Sequence, residues 1–456
     1  MNDSATEEKL SRLQTLDRNF LHPFTDHKAL RAKGTRIIER ADGIYLWDVN
    51  GHRILDGMSG LWCVNLGYGR KELVEAARAQ LERLPYYNSF FQCTHPAAIE
   101  LTRMLMEIAP LKLKQVFYTG SGSEAIDTVV RLVRHYWTLQ GKPQKNIIIS
   151  RENAYHGSTV AAASVGGMGP MHSQGGLPIP GIVHIEQPYH FKNGAGMSPE
   201  EYGRKAAQAL AAKIEWLGAD NVAAFIAEPI QGAGGVIIPP ETYWPEIKKI
   251  LARYDILFVA DKVICGFGRT GEWWGTQYYG LEPDLITFAK AVTSGYLPLG
   301  GVFVGERVAD ALIEKGGEFY HGFTYSAHPA ACAVAIENAK LLRDEGHIER
   351  VKNDTGPYLQ KRLRELAEHP LVGEVRGLGF LGALELVRTK RPRELFDPVG
   401  TVGTIARDIS VEQGLVMRAV RDGLIIAPPL VMTRAQIDEL VDIARHTLDL
   451  TAKAIA

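Results

Sequence analysis

Two side chains capable of acid–base and nucleophilic chemistry stand at the ends of apolar, strand-like runs. Asp261 closes the run DILFVAD and Lys290 closes the run DLITFAK. Ligands of open α/β sheets bind at the carboxyl ends of the strands, so we expect the two side chains to lie close together. A lysine can bind an aldehyde covalently, and a carboxylate can keep a pyridine nitrogen protonated. The pair therefore predicts a pyridoxal phosphate site; the alternatives are a carboxylate that caps a loop and a lysine at the surface.

A glycine- and serine-rich turn could hold the phosphate of that cofactor. The segment TGSGSEAIDTVVRLVRHYW, residues 119–137, places Ser121, Gly122 and Ser123 before a run with the apolar spacing of a helix. Free N–H groups and hydroxyls at the start of a helix bind anions. The alternative is an ordinary Ser-Gly helix cap without a ligand.

The segment GFGRTG, residues 266–271, fits the pattern G-x-G-x-x-G of dinucleotide-binding folds. In such folds the glycines open a helix directly after a strand, and an acidic residue follows about twenty positions later. Here the tryptophan-rich run EWWG follows, with weak helical character. We therefore expect a loop. A nicotinamide dehydrogenase remains the rival enzyme class, and NADH binding would test it.

The order of apolar runs predicts an α/β fold with two domains. Seven strand-like runs alternate with helical stretches up to about residue 330: KQVFYTG, KNIIISRE, GIVHIEQ, VAAFIAEPI, DILFVAD, DLITFAK and GGVFVGE. This pattern is typical of a largely parallel sheet covered by helices. We predict a large domain over residues 61–335 and a small α+β domain from both chain ends, residues 1–60 and 336–456. Within residues 1–60, the segment GIYLWDVNGHRILDG predicts a β-hairpin with a tight primed turn at Asn50-Gly51.

Composition restricts the possible partners. The formal net charge of 456 residues is −1, which gives no reason to expect nucleic acid or anionic lipid as a partner. No apolar run approaches the twenty residues of a membrane span, and the polar amino terminus does not resemble a signal peptide. The four cysteines lack metal-ligand spacing, so we expect reduced thiols and a cytoplasmic location.

Longer motifs, in this order along the chain, resemble the class III aminotransferases of pyridoxal-phosphate fold type I. The likeness is strongest to the omega-transaminases of the amine–pyruvate and putrescine–pyruvate branch. It covers nearly the whole chain and rests on HPFTDHKAL, AYHGST, AEPIQGAGGVIIPP, FAKAVTSGYLP, HGFTYSAHPAA and VMRAVRDGLIIAPPL. The resemblance implies that GFGRTG is a loop of this family.

The resemblance also implies roles for matching residues. Lys290 would form the Schiff base and carry the proton, and Asp261 would pair with the pyridinium nitrogen. The implied cofactor-binding set adds Ser121, Gly122, Ser123, Tyr155, His156, Glu228, Val263 and Thr324. Thr324 would reach the phosphate of a second copy, which implies a homodimer, alone or within a tetramer.

The implied substrate pocket consists of Trp62, Phe90, Tyr155 and Arg418. Arg418 would bind the carboxylate of pyruvate and swing out for an uncharged amine. Arg421 lies close by in sequence and could be confused with it. Trp62 and Phe90 could equally belong to the core.

The implied reaction moves an amino group from a primary amine to pyruvate by a ping-pong mechanism. The donor could be an aryl-alkyl amine, a diamine such as putrescine, or an omega-amino acid; the sequence does not choose among them. The alternatives are a cofactor-binding protein with impaired turnover, a dialkylglycine decarboxylase or an aminomutase.

Two positions depart from the family pattern. Asp261-Lys262-Val263 stands where Asp-Glu-Val is usual, and Ile126 stands where asparagine is common. One hypothesis is that Lys262 adds positive charge near the cofactor. The alternative is that Lys262 points into a polar surrounding and changes little, and that Ile126 alters only packing.

Overall fold

The computed structural model describes residues 3–110 and 112–456, so the first two residues of the predicted amino-terminal segment lie outside it. The α-helices are α1 (Asp3–Asp17), α2 (His27–Lys33), α3 (Ser59–Trp62), α4 (Lys71–Arg83), α5 (Pro96–Ile108), α6 (Gly122–Leu139), α7 (Val160–Val165), α8 (Gly169–His172), α9 (His190–Asn193), α10 (Pro199–Leu217), α11 (Tyr243–Arg253), α12 (Gly275–Tyr278), α13 (Glu306–Lys315), α14 (Pro329–Asp344), α15 (His347–Arg350), α16 (Gly356–Arg364), α17 (Thr401–Glu412) and α18 (Arg434–Ala454). Short 3-10 or π turns cover Ala219–Asn221, Lys290–Thr293, Val351–Thr355 and Glu365–Glu368.

The strands form four sheets. They are β1 (Ile38–Asp42), β2 (Tyr45–Asp48), β3 (Arg53–Leu55), β4 (Leu113–Thr119), β5 (Ile147–Arg151), β6 (Ile182–Ile185), β7 (Val222–Ala227), β8 (Leu257–Asp261), β9 (Leu285–Phe288), β10 (Gly300–Gly305), β11 (Val372–Leu378), β12 (Leu381–Leu386), β13 (Thr389–Lys390), β14 (Arg393–Glu394), β15 (Arg418–Val420) and β16 (Gly423–Ile426).

The central sheet has seven strands in the order β4-β10-β9-β8-β7-β5-β6. β10 runs antiparallel to both of its neighbours, and the remaining pairings are parallel. These strands coincide with the seven apolar runs of the sequence, so the predicted α/β fold with a mostly parallel seven-stranded sheet is confirmed.

Helices cover both faces of this sheet, as a parallel sheet requires. Along β7, Phe225 belongs to one apolar cluster and Ile226 to the other, because successive strand residues point to opposite faces. Helix α6 packs on the face of Ile226 with Ile126 and Val129 fully buried. Burial of a side chain of this size stabilises the fold by about 1.5–3 kcal/mol. Ile126 is therefore a core residue of α6.

A smaller antiparallel sheet, β11-β12-β16-β15, follows near the carboxyl end. The amino-terminal strand β3 joins this region, since Leu55 N donates to Gly414 O (2.8 Å) and Val416 N donates to Leu55 O (2.9 Å). Helix α14 runs without a break through the predicted boundary at residue 335. The domain bounds of the sequence analysis stay a prediction.

The predicted amino-terminal hairpin is present as β2 and β3, but its turn is not a primed one. Of the two central residues, only Gly51 has a positive φ (+78°), whereas a type I′ turn needs a positive φ at both. The loop is four residues long, and the Asp48 carboxylate accepts hydrogen bonds from Asn50 N and His52 N, each at 3.0 Å. This side-chain bonding explains the difference, because it stabilises a wider turn.

The GFGRTG segment is a loop, as expected, and it fastens the central sheet to the smaller sheet. Arg269 is fully buried, and its guanidinium donates to Pro428 O, Asn65 Oδ1 and Ser59 Oγ. Burial lowers the pKa of Arg269 to about 10. Gly268 has a φ of +95°, which favours glycine there. These glycines therefore serve a turn and a buried arginine.

The four cysteines are free, in agreement with the prediction of reduced thiols. Among the described residues, no helix combines the length and the apolar character needed to cross a membrane.

The core beside β8 contains a lysine without a partner. Lys262 is 1% exposed, and its Nζ has no hydrogen bond within residues 3–110 and 112–456. Nζ lies 5.1 Å from the centre of the Trp274 ring. Burial lowers the pKa of Lys262 well below its ordinary value of 10.5, because an apolar site disfavours the charged form. Burial thus disfavours the positive charge that one sequence hypothesis placed near the cofactor. The alternative expected polar surroundings, but Nζ lies beside the Trp274 ring instead.

Replacing Lys262 by methionine should stabilise the protein, because it removes a buried polar group without a partner. We expect the melting temperature to rise by about 1–3 °C at about pH 7. Between the lowered folded pKa and the unfolded pKa, only the unfolded chain carries the proton, so wild-type stability increases with pH. The gain from Lys262→Met should therefore shrink at about pH 9.5.

The matched control is Lys249→Met, since the Lys249 side chain is 70% exposed and should change the melting temperature little. Scanning fluorimetry at the two pH values gives the comparison. A loss of stability on Lys262→Met, or a gain that grows with pH, would contradict the assignment of a buried neutral amine.

Candidate active site

Loops at the carboxyl ends of β4, β5, β7, β8 and β9 enclose one cavity. The register of the sheet pairs Asp261 with Thr287, so Lys290 emerges three residues later at the same edge. The cavity is lined by Gly122, Ser123, Tyr155, His156, Gly157, Glu228, Asp261, Val263, Ile264 and Lys290. The structure thus brings together eight of the residues that the sequence analysis singled out, from five separate loops.

Asp261 is a buried carboxylate held by three donors. His156 Nδ1 lies 2.6 Å from Oδ2, while Thr287 Oγ1 and Val263 N each lie 3.0 Å from Oδ1. Burial on its own would raise the pKa of Asp261, but the hydrogen bonds from His156, Val263 and Thr287 outweigh it, and the pKa is lowered. The site therefore offers a fixed negative charge to a cationic group in the cavity.

Lys290 presents an amine to the same cavity. Its backbone has a φ of +50°, an uncommon value for a residue with a side chain and one that is often found at functional sites. Burial lowers the pKa of Lys290, and the nearby charge of Arg418 lowers it further, although Asp261 opposes the shift. A larger fraction of the amine is consequently neutral near pH 7, as a nucleophile or a general base requires.

The start of α6 forms a cradle for an anion. Ser121 caps the helix by accepting a hydrogen bond from Glu124 N (3.2 Å), which leaves the N–H groups of Gly122 and Ser123 free at the first turn. The backbone at Gly157 lies close to Ser123, and the backbone at Gly122 lies close to Val263. A Cβ on Gly157 would lie 2.5 Å from Ser123 Oγ, and one on Gly122 would lie 3.1 Å from Val263 Cγ2. Position 157, where φ is +139°, has no room for a side chain, and a side chain at position 122 would press on Val263 and narrow the space beside the N–H groups.

Glu228 fixes the loop that carries Tyr155. Its carboxylate accepts hydrogen bonds from Tyr155 N (3.2 Å) and Gly232 N (2.9 Å). Burial raises the pKa of Glu228, and the neighbouring charge of Asp261 raises it further. The Tyr155 ring lines the cavity, and the hydrogen bond to Glu228 holds its backbone in place.

Arg418 and Arg421 occupy different environments. Arg418, at the start of β15, is half-buried and has no ion-pair partner in the described part of the chain. Burial lowers the pKa of Arg418. Arg421 is exposed, donates to Asn153 Oδ1 (3.0 Å), and lines a separate cavity with Arg376 and Glu385. Of the two arginines, Arg418 is thus the one that has no partner among the described residues, and its charge acts on Lys290.

Besides Arg418, four predicted residues do not line the cavity of the single chain: Ser121, Trp62, Phe90 and Thr324. Ser121 is used as the helix cap. Trp62 is 1% exposed and packs in the apolar cluster that Tyr155 borders. Phe90 lines another cavity, against Gly322, and Thr324 is exposed, with its carbonyl accepting from Tyr86 Oη at 2.8 Å.

Several residues that the sequence analysis missed contact the predicted set. Thr287 donates directly to Asp261, and Ser150 Oγ lies 3.3 Å from His156 Nε2. The Phe24 ring is 72% exposed and lies edge-on to the Tyr155 ring, with 6.2 Å between centres. Thr287 could have been found from its place in DLITFAK, opposite Asp261 in register, whereas no local pattern marks Ser150.

The family model for the class III aminotransferases matches residues 29–448 of the chain. The chain is 59% identical to the putrescine–pyruvate aminotransferase of Pseudomonas aeruginosa over the full length of both proteins. It is 39% identical to the crystal structure of the omega-transaminase of Pseudomonas jessenii in complex with PMP, with a TM-score of 0.95 over 97% of this chain and 98% of that one.

A third relative is the thermostable (S)-enantioselective omega-transaminase of Thermomicrobium roseum. Its structure is 42% identical, with a TM-score of 0.93 over 97% of this chain and 98% of that one. Together with the seven-stranded sheet and the cavity at its edge, these likenesses show that the chain belongs to the class III aminotransferases.

Proposed function

We propose that this aminotransferase uses pyridoxal 5′-phosphate to move an amino group from a primary amine to pyruvate. Class III aminotransferases depend on this cofactor. The observation that carries the proposal is the convergence of Asp261, Lys290 and the free start of α6 on one cavity. The names of the relatives, a putrescine–pyruvate aminotransferase and omega-transaminases, support the substrate pair.

The residues of the cavity fit the separate parts of the cofactor. The N–H groups of Gly122 and Ser123 suit a phosphate, and glycine at 122 and 157 keeps that space open. Val263 and Tyr155 line the cavity as apolar surfaces for the two faces of a ring. Asp261, which is held ionised, suits the ring nitrogen.

Bound pyridoxal phosphate supplies an aldehyde that takes up the amino group and a ring that withdraws electrons. Lys290 then acts at the carbon of the donor that carries the nitrogen. Its neutral Nζ removes the proton from that carbon and later returns one, and the lowered pKa keeps the amine available near pH 7. Asp261 maintains the positive ring nitrogen on which the acidity of that carbon depends.

Arg418 is the group that we assign to the carboxylate of pyruvate. A half-buried guanidinium without an ion pair gains two charge-assisted hydrogen bonds from a carboxylate. The aromatic rings of Tyr155 and Phe24 would contact the organic part of the donor. The donors we expect are aryl-alkyl amines, diamines such as putrescine, and omega-amino acids.

A second copy of the chain would complete the site. Phe90 and Thr324, which the family resemblance assigns to the pocket and the phosphate, lie away from the Lys290 cavity of their own chain. They sit among exposed aromatic side chains, which include Tyr87, Phe91, Tyr320 and Tyr325. An apolar surface of this kind favours burial against another protein, and we propose a homodimer with shared sites.

The two half-reactions can be followed by absorbance. The purified protein with pyridoxal phosphate should show a visible band that bleaches when 1-phenylethylamine or putrescine is added and returns when pyruvate follows. A band that persists with every amine would contradict transamination, and the absence of a band after soaking in the cofactor would contradict cofactor binding.

Arg418→Met should separate the two substrates. We expect the concentration of pyruvate for half-saturation to rise about tenfold or more, because a charge-assisted bond is lost. The half-reaction with 1-phenylethylamine, which has no carboxylate, should change less than about twofold. Arg421→Met is the matched control and should leave both half-reactions intact. Equal losses for amine and pyruvate, or equal effects of the two substitutions, would overturn the role of Arg418.

A further inference from the structure

Ser150 is a polar side chain in a strand that otherwise consists of isoleucines and Arg151, whose guanidinium donates to Glu228 O. It lies in β5, an interior strand of the central sheet, and is fully buried. Its Oγ lies 3.3 Å from His156 Nε2, and His156 Nδ1 lies 2.6 Å from Asp261 Oδ2. The three side chains form a continuous chain of hydrogen bonds that ends at the carboxylate of the active site.

The protons of this chain can be assigned from its donors and acceptors. The ionised Asp261 has no proton to give, so Nδ1 of His156 carries the one between them. Within residues 3–110 and 112–456, His156 Nε2 is the one hydrogen-bond acceptor that the Ser150 hydroxyl contacts. A buried hydroxyl that donates nowhere is costly, so Ser150 donates to Nε2.

This arrangement selects one form of His156. With Nε2 occupied as an acceptor, the ring keeps its proton on Nδ1 and stays oriented toward Asp261. If the proton moved to Nε2, Asp261 would lose one of its three donors. Glu228 and Lys290 line the same cavity, and His184 lies opposite Ser150 in the register of β5 and β6. The orientation of Asp261 therefore depends on a residue that does not line the cavity.

We propose that Ser150 is a positioning residue, which holds His156 in its Nδ1–H form and thereby fixes Asp261 for the ring nitrogen of the cofactor. This inference rests on the proposed function. It adds that the strength of cofactor binding and the rate of proton removal depend on the Ser150 hydroxyl.

The test is titration of the apo-protein with pyridoxal phosphate, with the wild type measured alongside. Ser150→Ala should raise the dissociation constant about tenfold, the effect of one lost buried hydrogen bond. The saturating rate of the half-reaction with 1-phenylethylamine should fall, while the amine concentration for half-saturation stays within about twofold. Ser410→Ala is the control, because Ser410 is also buried and donates one bond, to Leu415 O, away from the site.

A second pair of variants separates the hydroxyl from packing. Ser150→Thr and Ser150→Val have nearly the same shape, but only threonine keeps the hydroxyl. The dissociation constant of Ser150→Thr for the cofactor should lie within about twofold of the wild-type value, and that of Ser150→Val should resemble that of Ser150→Ala. Equal affinities of the threonine and valine variants, or a loss in Ser410→Ala as large as in Ser150→Ala, would overturn the role of Ser150. A wild type that takes up no pyridoxal phosphate would instead overturn the proposed function.

Discussion

Asp261 is a carboxylate at the end of an apolar strand, where burial alone would remove its charge. Three hydrogen bonds, from His156, Thr287 and the N–H of Val263, reverse that tendency and keep it ionised. The cost of burying a charge is of the order of several kcal/mol, so the donors must be fixed before any ligand arrives. The parallel sheet fixes them, because Thr287 is the register partner of Asp261 and His156 is held from the neighbouring loop.

Two buried lysines near this carboxylate show how position decides chemistry. Lys290 lines the cavity, where its amine can contact a ligand. Burial lowers the pKa of Lys290, so a larger fraction of that amine is neutral and able to act as a nucleophile or base. Lys262 lies one residue from Asp261 but points into the core beside Trp274, where its amine has no partner. Lys262 N still donates to Thr287 O (3.1 Å), so the strand geometry extends to Lys262, and alternation sends its side chain away from the side of Asp261.

Much of the fold and of the site follows from the sequence. The seven strands were evident because buried parallel strands are continuous apolar runs, and Asp261 and Lys290 stand at the ends of two of them. The predicted turn type at Asn50-Gly51 was wrong, because the prediction considered only the preference for glycine. The Asp48 side chain accepts the hydrogen bonds that determine the turn. Ser150 was missed because its contact depends on the orientation of a loop. The assignments of Phe90 and Thr324 depend on a second copy and stay predictions.

The central claim, that Lys290 and Asp261 hold pyridoxal phosphate between two strand ends, can be tested by covalent labelling. The protein is incubated with the cofactor, reduced with borohydride to fix the cofactor on the lysine that binds it, digested, and mapped by mass spectrometry. We expect a single phosphopyridoxyl group on Lys290, and we expect it to be absent from Lys290→Ala. A label on Lys262, or none on either lysine, would contradict it.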